Sequence, residues 1–163
     1  MSGVSRNWNV FLADESATLA LAAQMARCLP VSDSPFVMYL QGDLGTGKTT
    51  LTRGMLRALG EQGAVRSPTY GLIAEYDTPQ GRVLHLDLYR LRSPEELAAL
   101  GLADYLPESR LWLIEWPEQG QGLLPKADVR VLLAVADGGR HLSVTPESAQ
   151  GADWLGRFNR ESV

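Results

Sequence analysis

The chain has 163 residues, 45% of them hydrophobic and 21% charged, with a net charge of −4. Apolar content on this scale supports a packed core, expected as one domain over 1–163, and excludes global disorder. The acidic balance argues against a strong direct grip on nucleic acid, which depends on neutralising phosphates, and the single cysteine, Cys28, rules out an intrachain disulfide or a cysteine metal cluster.

Along the chain, "NWNVFL" (7–12) predicts a short edge strand. "DESATLALAAQMARCL" (14–29) predicts an amphipathic helix with acidic residues in its first turn and Pro30 after its end. Cys28 falls in this helical stretch and reads as a small buried residue rather than a nucleophile. The apolar "LALAAQMA" follows Asp14 and Glu15 and no basic segment opens the chain, so it is not read as a removable signal. No apolar run approaches the roughly 20 residues of a membrane span, and a soluble, cytoplasmic protein is expected. "PFVMYLQG" (35–42) has the continuous apolar character of a strand buried on both faces. "KTTLTRGMLRALG" (48–60) places Leu51, Met55, Leu56 and Leu59 at helical spacing and stops at Gly60. "RSPTYGLIAEY" (66–76) starts as a loop and becomes a strand, and the turn "TPQG" (78–81) makes 69–76 and 82–87 a hairpin.

"SPEELAALGL" (93–102) opens a helix with Ser93 as cap, Pro94 in the first turn and Glu96 three residues after the cap. "RLWLIEW" (110–116) is a second buried-strand run, ended by Pro117, and 118–125 reads as loop. "DVRVLLAVA" (128–136) and "RHLSVTP" (140–146) flank a "DGGR" turn and predict a second hairpin. "SAQGADWLGRFNR" (148–160) reads as a closing helix weakened by two glycines. The order of elements predicts a three-layer α/β domain whose mixed sheet is parallel at its centre and carries antiparallel hairpins.

Between the first buried strand and its helix lies "LQGDLGTGKTTL" (40–51), in which Gly42, Gly47, Lys48 and Thr49 match the spacing G-x-x-x-x-G-K-T. A loop that wraps a phosphate chain turns its backbone N–H groups inward, and several positions then need unusual dihedrals or no Cβ, which glycine supplies. Gly42, Gly45 and Gly47 are therefore expected to make room for phosphate oxygens. The helix beginning at Lys48 aims its positive end at them, Lys48 neutralises the β/γ oxygens, and Thr49 is placed to ligate Mg²⁺. The plain alternative is a glycine-rich turn that happens to contain lysine; the strand before and helix after favour a P-loop NTPase-like domain. No N-K-x-D element is present, so ATP is favoured over GTP by elimination.

Such a site needs a carboxylate at the end of a neighbouring strand. Glu115 ends the apolar run "LWLIE" and is expected as metal ligand. Asp87 ends "VLHLD" and is expected as the second acid, near the attacking water or the outer shell of the metal; its alternative is an ion pair with Arg90 or a helix-capping role. In "RSPTY" a Ser or Thr can sense a γ-phosphate, or the segment is simply a turn. Trp116 could stack on a base or a partner, although a tryptophan is more often core. His85 and His141 are most simply structural.

The motifs "GDLGTGKTT", "SPTYGLIAEY", "HLDLYRL" and "IEWPEQG", in this order, resemble the TsaE (YjeE) family of small bacterial P-loop ATPases, and the resemblance runs from about "LADESATL" to "GGR". It implies binding of ATP and Mg²⁺, weak intrinsic ATPase activity, and work with a TsaB–TsaD-like complex that forms threonylcarbamoyladenosine beside the anticodon of tRNA, with hydrolysis resetting that complex. By the same resemblance Gly45, Thr46, Gly47, Lys48, Thr49 and Thr50 would hold phosphates, and Thr49 and Glu115 would hold Mg²⁺. Asp87 would be needed for hydrolysis beside the catalytic Lys48. Thr69 would lie in a switch-like segment, Trp116 would flank the site, and Glu15 and Arg140 would contact the nucleoside side. The tail from about Ser148 matches no pattern of the family. A small-molecule kinase of the P-loop class is the alternative, because "DLYR" resembles an acceptor-holding D-x-x-R. Such kinases also need an arginine-bearing lid, and 118–127 is short and has no arginine.

Overall fold

The computed structural model describes residues 7–68 and 71–161. Seven strands form one sheet: β1 (Trp8–Leu12), β2 (Phe36–Gln41), β3 (Ile73–Thr78), β4 (Gly81–Asp87), β5 (Ser109–Glu115), β6 (Val129–Ala136) and β7 (Gly139–Pro146). Their order is β1-β7-β6-β2-β5-β4-β3. β2 runs parallel to both β5 and β6, and β4 runs parallel to β5. The antiparallel pairs β3–β4, β6–β7 and β1–β7 lie to either side. The sheet is therefore mixed and centrally parallel, as expected, with β1 at an edge.

Side chains of the central strands alternate between two cores. Phe36, Met38 and Leu40 of β2, with Leu111 and Leu113 of β5, face a core shared with the helices α1 (Glu15–Arg27), α2 (Lys48–Leu59) and α4 (Ala149–Glu161). Val37, Trp112, Ile114, Leu84 and Leu86 face the other side, under the short helix α3 (Pro94–Ala98). The apolar face read at 48–60 is the one α2 buries. Leu51, Met55, Leu56 and Leu59 are at most 1% exposed, each contributing roughly 1.5–3 kcal/mol by leaving water.

Three boundaries differ from the sequence reading, each for a local reason. α3 keeps its predicted cap, with Ser93 Oγ accepting from Glu96 N at 3.3 Å, but ends at Ala98. Gly101 turns the chain at φ 63° into 3₁₀ turns at Leu102–Asp104 and Leu106–Glu108. β3 begins at Ile73, later than expected, because Leu72 adopts φ 64° at the end of the preceding loop. The start of the stretch 118–125, read as loop, belongs to a 3₁₀ turn over Pro117–Gly120. In α4, Gly151 does not weaken the helix without return: a Cβ there would stand 1.8 Å from the Asp128 carbonyl, so only glycine lets α4 approach the start of β6. No helix among the described residues is long and apolar enough to cross a membrane.

Candidate functional site

The order β2-β5-β4 sets three parallel strands side by side, so their C-terminal ends share one edge of the sheet. From that edge emerge the glycine loop after β2, Glu115 at the end of β5 and Asp87 at the end of β4. Asp87 and Glu115 stand opposite each other in the register, on the face that carries α2. Ligands of open α/β sheets bind at this edge. Here it opens into a cleft of about 720 Å³. Lining it are Glu15, Gly45, Thr46, Gly47, Lys48, Thr49, Thr50, Asp87, Glu115, Trp116 and Arg140, which the sequence reading had placed at the site, whereas Gly42 does not line it. Thr69 lies outside the described residues.

The loop is built for an anion. Gly42, Gly45 and Gly47 all have positive φ, at 146°, 79° and 108°. No side chain caps α2, and its first backbone bond runs from Leu51 N to Gly47 O at 2.9 Å, which leaves the amides of Lys48, Thr49 and Thr50 without intrahelical acceptors. These N–H groups, with the positive end of the helix, form an anion cradle. A Cβ on Gly45 or Gly47 would meet nothing within 4 Å, whereas one on Gly42 would meet the Leu133 carbonyl at 2.4 Å and Thr46 Oγ1 at 2.8 Å. Two glycines thus leave space on the cleft side, and Gly42, contrary to the sequence expectation, makes room for the protein's own chain. Thr46 turns its hydroxyl inward, donating to Asp43 O at 2.9 Å and closing the loop.

Lys48 is 5% exposed. Its Nζ donates to the carbonyls of Gly42 and Asp43 and lies 4.1 Å from the centre of the Trp116 ring. Burial pushes its pKa down, and the carboxylates of Glu115 and Asp87 pull it back up. Trp116 holds this position in a left-handed conformation, φ 56°, and packs against Tyr89 with ring centroids 4.9 Å apart. Trp116 is thus partly buried, between the loop lysine and Tyr89.

The acids are held by a network. Asp87 Oδ1 accepts from Tyr89 N at 3.0 Å, and Oδ2 accepts from the Ser67 hydroxyl, which also lies 3.4 Å from Glu115 Oε2. Glu115 Oε2 sits 2.6 Å from His85 Nε2, and the histidine is fully buried. His85 is the participant the sequence reading took as structural, while Ser67 belongs to the "RSPTY" segment that the sequence left open between a phosphate sensor and a turn. The available signal for His85 was strand periodicity: two residues before Asp87 on β4, it must share that face. On the opposite rim, Arg140 Nη2 reaches Gly45 O at 3.2 Å and ties β7 to the loop. Glu15, in the first turn of α1, lies 3.8 Å from Arg53 in an exposed pair that adds little stability.

The oxygen-bearing side chains that line the cleft near the loop include Thr49, Ser67, Glu115 and Asp87. This all-oxygen set suits a hard cation such as Mg²⁺. Among the described residues no three or more His, Cys, Asp or Glu side chains gather to hold a metal, so a cation here would take part of its coordination from a ligand and water.

A family model described as "Threonylcarbamoyl adenosine biosynthesis protein TsaE" matches residues 12–142. The chain belongs to the TsaE family. A Haemophilus influenzae relative named tRNA threonylcarbamoyladenosine biosynthesis protein TsaE is 41% identical over 151 residues, covering 91% of this chain and 96% of its own. A Nostoc TsaE is 37% identical over 151 residues, covering 90% of each chain. A crystal structure of Bacillus subtilis YdiB superposes with a TM-score of 0.81 across 99% of this chain and 100% of its own, at 24% identity, and shows the same fold. The TsaE match spans the whole cleft from Leu12 to Arg140 and ends before α4.

Proposed function

We propose that this TsaE-family chain is a Mg²⁺-dependent ATPase of the cytoplasm that works with a TsaB–TsaD-like pair in forming threonylcarbamoyladenosine on tRNA. The observation that carries the ATPase reading is the convergence of a G-x-x-x-x-G-K-T loop, Glu115 and Asp87 at adjacent strand ends on one cleft. The pathway and partners rest on the family relationship.

In this reading the amides of the loop and of the α2 N-terminus bind the phosphates, and Lys48 leaves Trp116 and its two carbonyl acceptors to neutralise the β/γ oxygens. Thr49 and Glu115 would hold Mg²⁺, which would supply positive charge to offset that developing on the phosphates. Asp87, fixed by Ser67 and the Tyr89 amide, would orient the attacking water. Arg140 and Glu15 line the far side, where the nucleoside would lie. With a net charge of −4 the protein does not grip tRNA strongly by itself, and its partners present the RNA.

A P-loop kinase would need a mobile cationic lid. The segment after Glu115 is instead packed down. A Cβ at Gly120 would stand 2.8–3.1 Å from Leu88, Leu97 and Leu124, and Tyr39 Oη donates to Pro125 O at 2.5 Å. This observation favours hydrolysis over transfer to a metabolite. Phosphate release from ATP, measured with and without the purified TsaB–TsaD pair, tests the reading. Slow release that rises on adding the pair is expected. Phosphate delivered to an added metabolite would favour the kinase, and binding without turnover under either condition would leave a nucleotide-dependent binding module.

A further inference from the structure

The proposed chemistry does not use His85, yet the histidine is fully buried and its Nε2 lies 2.6 Å from Glu115 Oε2. An ionised carboxylate only accepts, so the hydrogen belongs to Nε2 and the bond is a short, charge-assisted one. The other ring nitrogen, Nδ1, has no hydrogen-bond partner in its buried position. The flanking β4 residues Val83, Leu84 and Leu86 are apolar and fully buried. A leucine at residue 85 would fill such a place without an unpartnered ring nitrogen, so packing alone does not account for the histidine. Its bond to Glu115 does.

We propose that His85 is a positioning residue for Glu115, holding Oε2 through Nε2–H so that Oε1 is turned to the divalent cation. This rests on the Mg²⁺-ATP reading of the cleft. Glu115 is 3% exposed at the end of an apolar strand, and among the described residues Oε1 accepts no hydrogen bond while Oε2 is engaged by His85 and approached by Ser67 at 3.4 Å. Without the imidazole only the longer Ser67 contact restrains the carboxylate. It could then turn toward the Lys48 ammonium, which already feels its charge. A carboxylate spent on the lysine would bind metal less well and compete with the phosphates for the lysine. Orienting partners of this kind tune metal affinity in many sites.

The test compares His85→Leu, His85→Gln and His85→Asn. Glutamine can present a donor near the place of Nε2, and asparagine is polar but one methylene shorter. Binding of a fluorescent ATP analogue is titrated with Mg²⁺, and its affinity is also measured in excess EDTA. The leucine and asparagine variants should need about tenfold more Mg²⁺ for half-maximal effect, the low end for such partners, with EDTA affinity within twofold of wild type. Glutamine should bring the Mg²⁺ midpoint back to within about threefold. The proposal is overturned if the leucine or asparagine variant keeps the wild-type midpoint, or if glutamine does no better than they do. Should the leucine variant not fold, asparagine against glutamine decides. If wild-type protein shows no nucleotide binding, or binding that Mg²⁺ does not alter, the reading of the cleft itself has failed, and that is visible before any variant is made.

Discussion

Replacing the three loop glycines by alanine one at a time separates room needed by the chain from room needed by a ligand. At Gly42, φ is 146° and an added Cβ would lie 2.4 Å from the Leu133 carbonyl, a backbone atom of a central strand. Backbone strain of about 1–3 kcal/mol and overpacking of similar size combine to about 4 kcal/mol, a melting-temperature drop of about 8–16 °C for a chain of this length. At Gly45 and Gly47 nothing lies within 4 Å and only the positive φ of 79° or 108° opposes alanine, a penalty of about 1–2 kcal/mol, or about 2–8 °C. Binding should rank the other way. Gly45 and Gly47 line the cleft and Gly42 does not. Their methyl groups would displace phosphate oxygens from one or two amides, a loss of about 1.5–3 kcal/mol, or about 10- to 100-fold in affinity. Circular-dichroism melts and calorimetric titrations with Mg²⁺-ATP, run below the lowest melting temperature, measure both. The reasoning is refuted if Gly42→Ala melts with wild type, or if Gly45→Ala and Gly47→Ala keep full affinity.

Asp87→Asn should leave ATP affinity within about threefold while lowering turnover about 100-fold or more, as for a general base; equal losses in both would make Asp87 a structural residue. Lys48 has a pKa lowered from 10.5 chiefly by burial, and nearby phosphates raise it. Between those two pKa values binding takes up a proton and weakens as pH rises; below both, the lysine is charged throughout and no uptake is expected. Calorimetry in two buffers of different ionisation enthalpy reads this directly, and zero uptake across the alkaline range would contradict the placement of Lys48. Burial, with the Glu161 carboxylate beside it, pushes the Cys28 thiol up to about 11. Alkylation of native protein at pH 8 should therefore run about 100-fold slower than in the unfolded chain and rise with pH up to that value; equal rates would show an exposed, ordinary thiol.

Much of this architecture is legible in the sequence because single residues force it. A both-faces-apolar strand, a glycine loop and a helix with one buried stripe follow directly from 36–59, and each carboxylate ends an apolar run. What periodicity cannot supply is which strands become neighbours. The insertion of β5 between β2 and β4 brings Glu115 and Asp87 together, and it depends on crossovers spanning dozens of residues. The roles of His85 and Ser67 follow from that adjacency and are invisible without it. Gly42 and Gly151 teach a related lesson. The sequence reads Gly42 as room for phosphate and Gly151 as a weak point of a helix, and only the packed structure shows that they make room for the Leu133 and Asp128 carbonyls. The helix read at 93–102 starts at its predicted cap but stops early, at Ala98, ahead of the left-handed turn at Gly101.

The central claim is that a triphosphate seats on the amides at the head of α2 with Lys48 as its counter-charge. Isothermal calorimetry of the purified protein with Mg²⁺ and ATP tests it most directly, beside Lys48→Ala. The account predicts saturable one-site binding by wild type that the variant loses. Absence of binding in wild type, or equal binding by the variant, would contradict it.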